Sequence, residues 1–260
     1  MMKEALAINK ASIGYRTGKK TIHVVDGIDA SLHCGELVAL IGKNGAGKST
    51  LLRTLSALQE PLSGDIELNG KNITGLSPND VAKELSLVLT SIEQASLTVR
   101  ELVSLGRTPY TDFLGRMTAK DNCVVDAAMD VMGVGVFEER MLATLSDGER
   151  QKCMIAKALA QETPLILLDE PTAFLDFGSK VTLFRTLKKL AKEKQKAILV
   201  STHDVELAIK FADRIWLLSD GMLEEGVADE LFGSGALQRV IECDGVVYDS
   251  ENKRIEITQI

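Results

Sequence analysis

Residues 42–50 have the composition and spacing of a loop that binds phosphate groups. They fit the pattern G-x-x-x-x-G-K-[ST] and lie between an apolar run and a stretch with helical character. Glycines in such a loop let successive backbone N–H groups converge on an anion at the start of a helix. The loop therefore predicts ATP binding by Gly42, Lys43, Asn44, Gly45, Ala46, Gly47, Lys48, Ser49 and Thr50.

Three side chains of this loop have separate roles in that prediction. Lys48 supplies positive charge to the terminal phosphates, and Ser49 offers its hydroxyl to a Mg²⁺ ion. Thr50 helps to cap the phosphate cluster. The alternative is an ordinary glycine-rich turn between a strand and a helix, and the complete match to the pattern in this context disfavours it.

Two adjacent carboxylates follow the apolar run at 165–168. In an enzyme with a phosphate loop this position provides a second protein contact to magnesium, a role that fits Asp169. Glu170 is then the candidate general base, which orients and polarises the water that attacks the γ-phosphate. The alternative is that both acids cap the following turn. Beside the phosphate loop, the pair predicts hydrolysis of ATP with Mg²⁺.

One of the three histidines lies where it could contact the same phosphate. His203 follows a predicted strand at 197–201, so its side chain would emerge at the sheet edge that carries Asp169 and the phosphate loop. We expect His203 to sense the γ-phosphate and to act in catalysis. His23 and His33 are expected to be structural.

The elements that would position these residues indicate an α/β fold. Short β-rich runs alternate with helical patterns, which predicts parallel strands covered by helices. Strands are predicted at 36–41, 65–68, 165–168, 197–201 and 214–218, and helices at 51–58, 179–194 and 205–211. The expected fold is a phosphate-loop NTPase core, a RecA-like sheet with helices, plus an N-terminal antiparallel β region.

The pattern changes between 77 and 145, where helical segments follow one another at 78–85, 99–105 and 119–132. We interpret 77–145 as a helical subdomain inserted into a core of 1–76 and 146–220, within a single domain of 1–260. Residues 221–260 would form a C-terminal extension, with a hairpin of strands at 246–249 and 254–258.

The composition excludes some classes of function. With 260 residues, 45% of them hydrophobic, the chain can bury one large core or a main domain with a smaller lobe. A formal charge of -7 argues against nucleic acid as a partner, since phosphate backbones are held by surplus Lys and Arg. The four cysteines lack a C-x-x-C pair, and no apolar run reaches the roughly 18 residues that span a bilayer. We expect a cytosolic chain without a secretory signal, whose work at a membrane would require a partner.

A further segment, at 145–151, makes this set of motifs resemble the ATP-binding cassette family. It reads L-S-D-G-E-R-Q and is similar to the family signature L-S-G-G-Q, and the markers follow the family's order along nearly the whole chain. The resemblance implies a head-to-tail homodimer in which Ser146 and Gly148 contact the γ-phosphate bound by the other copy. It also implies that Tyr15 stacks on adenine, with packing as the alternative, and that Asp176 couples the two sites.

The chain departs from the family pattern in two places. Acids stand at Asp147 and Glu149, beside an expected phosphate, but Ser146-x-x-Glu149 is also a capping box for a helix running to residue 160. We expect Glu149 to point back at the backbone, which would leave the Ser146 hydroxyl and the Gly148 amide to the nucleotide. Where the family has a metal-contacting glutamine the chain has Ser91, and Glu93 and Gln94 remain alternatives.

Residues 97–110 resemble the helical lobe of bacterial importer ATPases that serve iron-siderophore, haem and cobalamin permeases. The resemblance implies a peripheral subunit on the cytoplasmic face of the bacterial inner membrane. Its partners would be an integral membrane permease and, indirectly, a substrate-binding protein. A non-transport cassette such as an iron–sulfur cluster assembly factor is the alternative. A regulatory nucleotide-binding module with slow turnover is a third.

Overall fold

The computed structural model of the chain describes residues 3–18, 20–89, 96–241, 246–249, 251 and 254–257. Within these ranges the strands are β1 (Glu4–Thr17), β2 (Lys20–His33), β3 (Leu37–Gly42), β4 (Ser63–Leu68), β5 (Lys71–Asn72), β6 (Leu85–Val88), β7 (Leu165–Asp169), β8 (Ala197–Ser201), β9 (Arg214–Ser219), β10 (Met222–Gly226), β11 (Val246–Asp249) and β12 (Arg254–Ile257). The α-helices are α1 (Lys48–Leu55), α2 (Pro78–Glu84), α3 (Val99–Ser104), α4 (Ala119–Met132), α5 (Asp147–Ala160), α6 (Phe177–Lys194), α7 (Val205–Phe211), α8 (Ala228–Gly233) and α9 (Ala236–Ile241).

A six-stranded sheet brings the predicted site residues to one edge. Its order is β10-β9-β3-β8-β7-β6, in which β9 to β6 are parallel and β10 is antiparallel to β9. Every residue of β3, β7 and β8 is buried, as expected for apolar strands covered by helices on both faces. The carboxyl ends of these three neighbouring strands lie side by side. The segments that follow Gly42, Asp169 and Ser201 are therefore brought together.

An antiparallel sheet in the order β2-β1-β4-β5 packs against this core. Buried side chains from it, including Leu6 and Ile28, share an apolar cluster with Leu51 of α1 and Trp216 of β9. Both the predicted N-terminal antiparallel region and the predicted α/β class are thus confirmed.

Two predicted elements differ from the structure. The helix predicted at 78–85 ends at Glu84, and Leu85–Val88 form β6, which pairs in parallel with β7. Residues 77–145 are therefore not helical throughout. The four residues of β6 form a strand because they pair with β7, and their own pattern does not reveal that partner. The helix predicted to reach residue 58 ends at Leu55, just before Ala57 adopts a φ of 58°. The division of the chain into core and helical subdomain remains a prediction.

Helices α3, α4 and α5 pack on one another, with Val103, Val125 and Cys153 in the same buried cluster. Burial raises the pKa of the Cys153 thiol to about 12, so this thiol stays protonated at neutral pH. Its role is that of an apolar core residue.

A buried arginine ties these helices together. Arg107 lies in a 3-10 turn, Leu105–Tyr110, and is only 3% exposed. Its Nε donates to Asp121 Oδ1 at 2.9 Å, in the first turn of α4, and its Nη1 donates to the Ala160 carbonyl at 2.8 Å, in the last turn of α5. Hydrogen bonds from Thr118 and from Arg107 lower the pKa of Asp121 to about 2. The contact is therefore an ion pair at neutral pH.

The C-terminal part of the chain contains α8, α9 and an antiparallel pair of β11 and β12. This pair confirms the predicted hairpin, and residue 258 at its predicted end lies outside the described residues. Across the described ranges, none of the helices has the length and apolar character needed to cross a bilayer.

Candidate active site

The phosphate loop connects β3 to α1 through backbone that requires glycine at two positions. Gly47, which caps α1, has a φ of 107°, and a Cβ there would lie 2.5 Å from Val24 Cγ1. A Cβ on Gly42 would lie 2.6 Å from the Leu218 carbonyl oxygen. The loop can approach its neighbours only without side chains at these positions. It borders a cavity of about 270 Å³, the nucleotide cavity, lined by Tyr15, Val24, Asn44, Gly45, Gly47, Lys48, Ser49, Thr50 and Glu170.

The side chain of Lys48 bonds backbone carbonyl groups of its own loop. Lys48 is buried, and its Nζ donates to the carbonyl oxygens of Gly42, at 2.8 Å, and Lys43, at 3.3 Å. The Ala46 amide also donates to the Lys43 carbonyl, which tightens the turn. Burial lowers the pKa of the Lys48 ammonium, and the nearby Glu170 carboxylate opposes that shift. An ammonium that has lost part of its hydration interacts more strongly with an incoming phosphate.

Asp169 ends β7 with both carboxylate oxygens hydrogen-bonded. Ser49 Oγ donates to Oδ2 at 3.0 Å, and Ser201 Oγ donates to Oδ1 at 2.7 Å. Hard oxygen atoms of this kind are the ligands that Mg²⁺ prefers, so the Ser49 and Asp169 pair fits the ion. Among the described residues no three His, Cys, Asp or Glu side chains form a metal cluster. Mg²⁺ prefers an octahedral set of oxygen ligands, so phosphate and water oxygens would complete the two that Ser49 and Asp169 offer.

Glu170, which lines the nucleotide cavity, contacts His203, the histidine expected at this edge of the sheet. His203 Nε2 lies 2.6 Å from Glu170 Oε1. The backbone of Glu170 has a φ of 46°, a conformation that is uncommon and costly for a residue with a side chain. Strained backbone is often found at functional sites, and it persists only where the surrounding structure holds it in place. Here the hydroxyl of Ser201 does so, since the Glu170 amide donates to it at 2.9 Å.

Ser201 is a polar site residue that the sequence analysis did not single out. Its hydroxyl donates to Asp169 and accepts from the amide of Glu170, so one atom orients both carboxylate residues. The available signal was a polar residue at the end of the apolar run 197–200, directly before Thr202 and His203. Nothing in the sequence indicates which partners that hydroxyl would find across the sheet.

Tyr15 lines the nucleotide cavity, and its hydroxyl is hydrogen-bonded to Thr50 Oγ1. The ring is 42% exposed, which leaves part of its surface open to a ligand. Stacking on adenine remains a prediction. His23 and His33 contact Asp26 and Glu36 rather than the cavity.

The signature segment opens α5 with the predicted capping box. The Glu149 amide donates to Ser146 Oγ at 3.3 Å, and the Ser146 amide donates to Glu149 Oε2 at 2.8 Å. These contacts from Ser146 hold the pKa of Glu149 below its ordinary value. The Ser146 hydroxyl also donates to Glu149 Oε2 at 2.8 Å, and its contact with the nucleotide remains a prediction. To donate to a phosphate it would have to rotate away from the carboxylate.

The other acid of the signature, Asp147, is paired with Arg150 one turn along α5. That contact offsets part of the negative charge that a phosphate would meet. Gly148 lies close to the loop before α6, and a Cβ there would come within 3.1 Å of the Phe174 carbonyl oxygen. A second cavity of about 400 Å³, the signature cavity, is lined by Ser146, Asp147, Gly148, Glu149, Lys152, Phe174, Leu175, Asp176 and Ser179.

No residue lines both the nucleotide cavity and the signature cavity within the described parts of the chain. The structure therefore brings together the phosphate loop, Asp169, Glu170 and His203, and separately Ser146, Gly148 and Asp176. The positions weighed for a metal-contacting glutamine, Ser91, Glu93 and Gln94, lie outside the described residues.

Comparisons with known proteins agree with this arrangement. A family model described as ABC transporter matches residues 25–173, and a model described as AAA domain, putative AbiEii toxin, Type IV TA system, matches the shorter range 139–209. An uncharacterized ABC transporter ATP-binding protein of Methanocaldococcus jannaschii is 45% identical over 76% of this chain and 68% of its own length. The iron(3+)-hydroxamate import ATP-binding protein FhuC of Bacillus subtilis is 37% identical over 98% of this chain and 94% of its own length.

A solved structure extends the likeness to three dimensions. A bacterial ABC transporter cassette, determined as a dimer, is 26% identical and superimposes with a TM-score of 0.76 over 85% of this chain and 98% of that chain. Fold, motifs and relatives coincide, so the chain belongs to the ABC transporter family as one of its ATP-hydrolysing cassettes.

Proposed function

We propose that this chain powers an importer by hydrolysing ATP, with Glu170 as general base. The observation that carries the role of Glu170 is its contact of 2.6 Å with His203, because Glu170 also lines the nucleotide cavity. A carboxylate fixed beside a phosphate loop can accept a proton from water. A histidine next to it can donate a hydrogen bond to a γ-phosphate oxygen.

In this mechanism the amides of the phosphate loop and Lys48 bind the phosphates. Mg²⁺, held by Ser49 and Asp169, would neutralise charge on the β- and γ-phosphate oxygens. Glu170 accepts a proton from the attacking water while the water oxygen bonds to the γ-phosphorus and the bond to the bridging oxygen of ADP breaks. The fixed orientation of both carboxylate residues by Ser201 lowers the cost of reaching that geometry.

The complete site would contain two copies of the chain, arranged head to tail. Each copy would offer its nucleotide cavity to the signature cavity of the other, so that Ser146 and Gly148 reach the γ-phosphate in trans. The separation of the two cavities within one chain supports this proposal, as does the dimeric state of the solved relative. Phe174, which lines the signature cavity, and Phe177, the first residue of α6, are 45% and 72% exposed, as expected for aromatic residues that a partner covers.

The imported compound would be an iron chelate of the siderophore type. The name of the relative FhuC supports this choice. The segment 97–110 resembles importer ATPases for all three classes of compound and does not distinguish between them. The chain would act at the cytoplasmic face of a bacterial inner membrane as a peripheral subunit. An integral permease would be its direct partner, and a substrate-binding protein would deliver the chelate to that permease.

Hydrolysis is tested by measuring phosphate release from Glu170→Gln. We expect the rate to fall about 10²- to 10⁴-fold while ATP binding persists, since the amide keeps the shape but cannot accept the proton. Glu193→Gln, an exposed glutamate on α6, is the matched control and should hydrolyse ATP normally. A Glu170→Gln protein with the normal rate would remove Glu170 from the mechanism.

The importer assignment is tested by purifying the tagged chain from membranes. We expect an integral permease to co-purify, and the complex in proteoliposomes to take up a ferric hydroxamate when ATP is present. Recovery with soluble assembly proteins alone would favour the iron–sulfur cluster alternative. Turnover that stays slow in the permease complex would favour a regulatory module.

A further inference from the structure

We propose that Asp204 is a positioning residue, which fixes His203 by tying its loop to the Glu170 loop and to α6. This inference rests on the proposed role of His203 at the γ-phosphate. Asp204 follows His203 directly and stands at the N-terminal cap of α7.

The side chain of Asp204 does not cap the helix that it precedes. An aspartate at a helix N-cap ordinarily accepts a hydrogen bond from an amide of the first turn, which stabilises the helix. Asp204 makes no such bond with α7, although Asp176 makes one with Ser179 at the start of α6. The Asp204 carboxylate is turned toward other partners.

Those partners occupy both carboxylate oxygens. Thr172 Oγ1 donates to Oδ2 at 2.8 Å, and Lys180 Nζ lies 3.1 Å from Oδ1. The Asp204 amide also donates to Thr202 Oγ1 at 3.0 Å. Thr172 and Thr202 are buried, so they offer fixed rather than mobile contacts. The residues on either side of His203 are therefore both held.

The positions of Thr172 and Lys180 show which parts of the site are connected through Asp204. Thr172 lies two residues after Glu170, so the hydrogen bond joins the loop of the base to the loop of the histidine. Lys180 lies in the first turns of α6, next to Asp176, which lines the signature cavity. Asp204 thus connects His203 with the helix whose start would meet the partner copy. None of these contacts involves the phosphate loop, so ATP binding does not depend on them.

The test compares Asp204→Ala and Lys180→Met with the wild-type chain in steady-state ATP hydrolysis. We expect kcat to fall about 10- to 100-fold in both, since a small displacement of a catalytic group has that effect. The KM for ATP and the binding of ATP should change less than about twofold, because the phosphate loop is untouched. Lys180→Arg keeps the positive charge and should restore most of the lost kcat.

Lys188→Met is the matched control, because it removes an ion pair of the same type from the same helix. Lys188 Nζ lies 2.7 Å from Asp213 Oδ1, and neither residue borders the nucleotide cavity. We expect this variant to keep the wild-type kcat whatever its melting temperature. A fall in kcat matching that of Lys180→Met would show that any lost ion pair on α6 has the effect, and would overturn the proposal.

His203→Ala distinguishes a failure of the proposed role of His203 from a failure of the positioning role of Asp204. If it hydrolyses ATP at the wild-type rate, the proposed function of His203 fails. If it is inactive while Asp204→Ala and Lys180→Met keep the wild-type kcat, only the positioning role of Asp204 is overturned. Should Asp204→Ala fail to fold, Lys180→Met with its Arg rescue decides the question alone.

Discussion

Single hydroxyl groups organise the chemistry of this site at the scale of the residue. Ser201 Oγ bonds the carboxylate of Asp169 and the amide of Glu170, and Ser49 Oγ bonds the other oxygen of the same carboxylate. The backbone of Glu170 has a left-handed conformation, and its amide donates to the same Ser201 hydroxyl. The orientation of the two proposed carboxylate residues therefore depends on neighbouring hydroxyl groups.

Replacing Ser201 by alanine should lower both the stability of the chain and its kcat. The variant leaves the buried Asp169 oxygen and the Glu170 amide without this partner, which we expect to cost about 1–3 kcal/mol of unfolding free energy. We also expect kcat to fall at least tenfold, because Glu170 is no longer fixed. Urea unfolding and phosphate release measure the two effects.

Ser86→Ala provides the comparison for that variant. Ser86 is a buried serine in β6 of the same sheet, and its hydroxyl is hydrogen-bonded to Thr163 rather than to the site. It should lose stability and keep its kcat. Equal losses of kcat in both variants would mean that Ser201 acts only through general stability.

At the scale of the element, local signals predicted structure better than distant ones. The capping box of Ser146 and Glu149 lies within one turn of helix, so its residues define it without help from the rest of the chain. The phosphate loop and the strand before Asp169 are local in the same sense. Strand β6 depends on pairing with β7, some 80 residues later, and a short run could not reveal that partner. The hydrogen bonds of Ser201 were beyond prediction for the same reason.

The buried guanidinium of Arg107 bonds α5, the helix that begins at the signature, and α4. Arg107→Leu would leave Asp121 without its ion-pair partner in a buried setting, and should destabilise the chain by about 3–5 kcal/mol. Arg100→Leu removes the same side chain from exposed pairs with Asp126 and Glu138, and should cost at most about 1 kcal/mol. Denaturant unfolding of both variants gives the two values. Similar losses would show that Arg107 adds nothing beyond an ordinary surface pair.

At the scale of the whole molecule, the motifs of the proposed composite site line two separate cavities. The nucleotide cavity holds the phosphate loop and Glu170, and the signature cavity holds Ser146 and Gly148. The sequence predicted the members of each half, because each lies on a recognisable motif. It predicted the capping box of Ser146 and Glu149, but not that the Ser146 hydroxyl itself donates to Glu149, nor that Asp147 pairs with Arg150. Both contacts would have to yield or adapt when a second copy brings its phosphate.

The most direct test of this account is the mass of Glu170→Gln in solution with and without ATP and Mg²⁺, measured by light scattering. Blocked hydrolysis should trap ATP between two copies, so we expect twice the 28.2 kDa of one chain with ATP and a single chain without it. Lys48→Ala, placed in the same background, should stay at the mass of one chain because the phosphate loop no longer holds ATP. A Glu170→Gln chain that binds ATP and remains at 28.2 kDa would contradict the composite site.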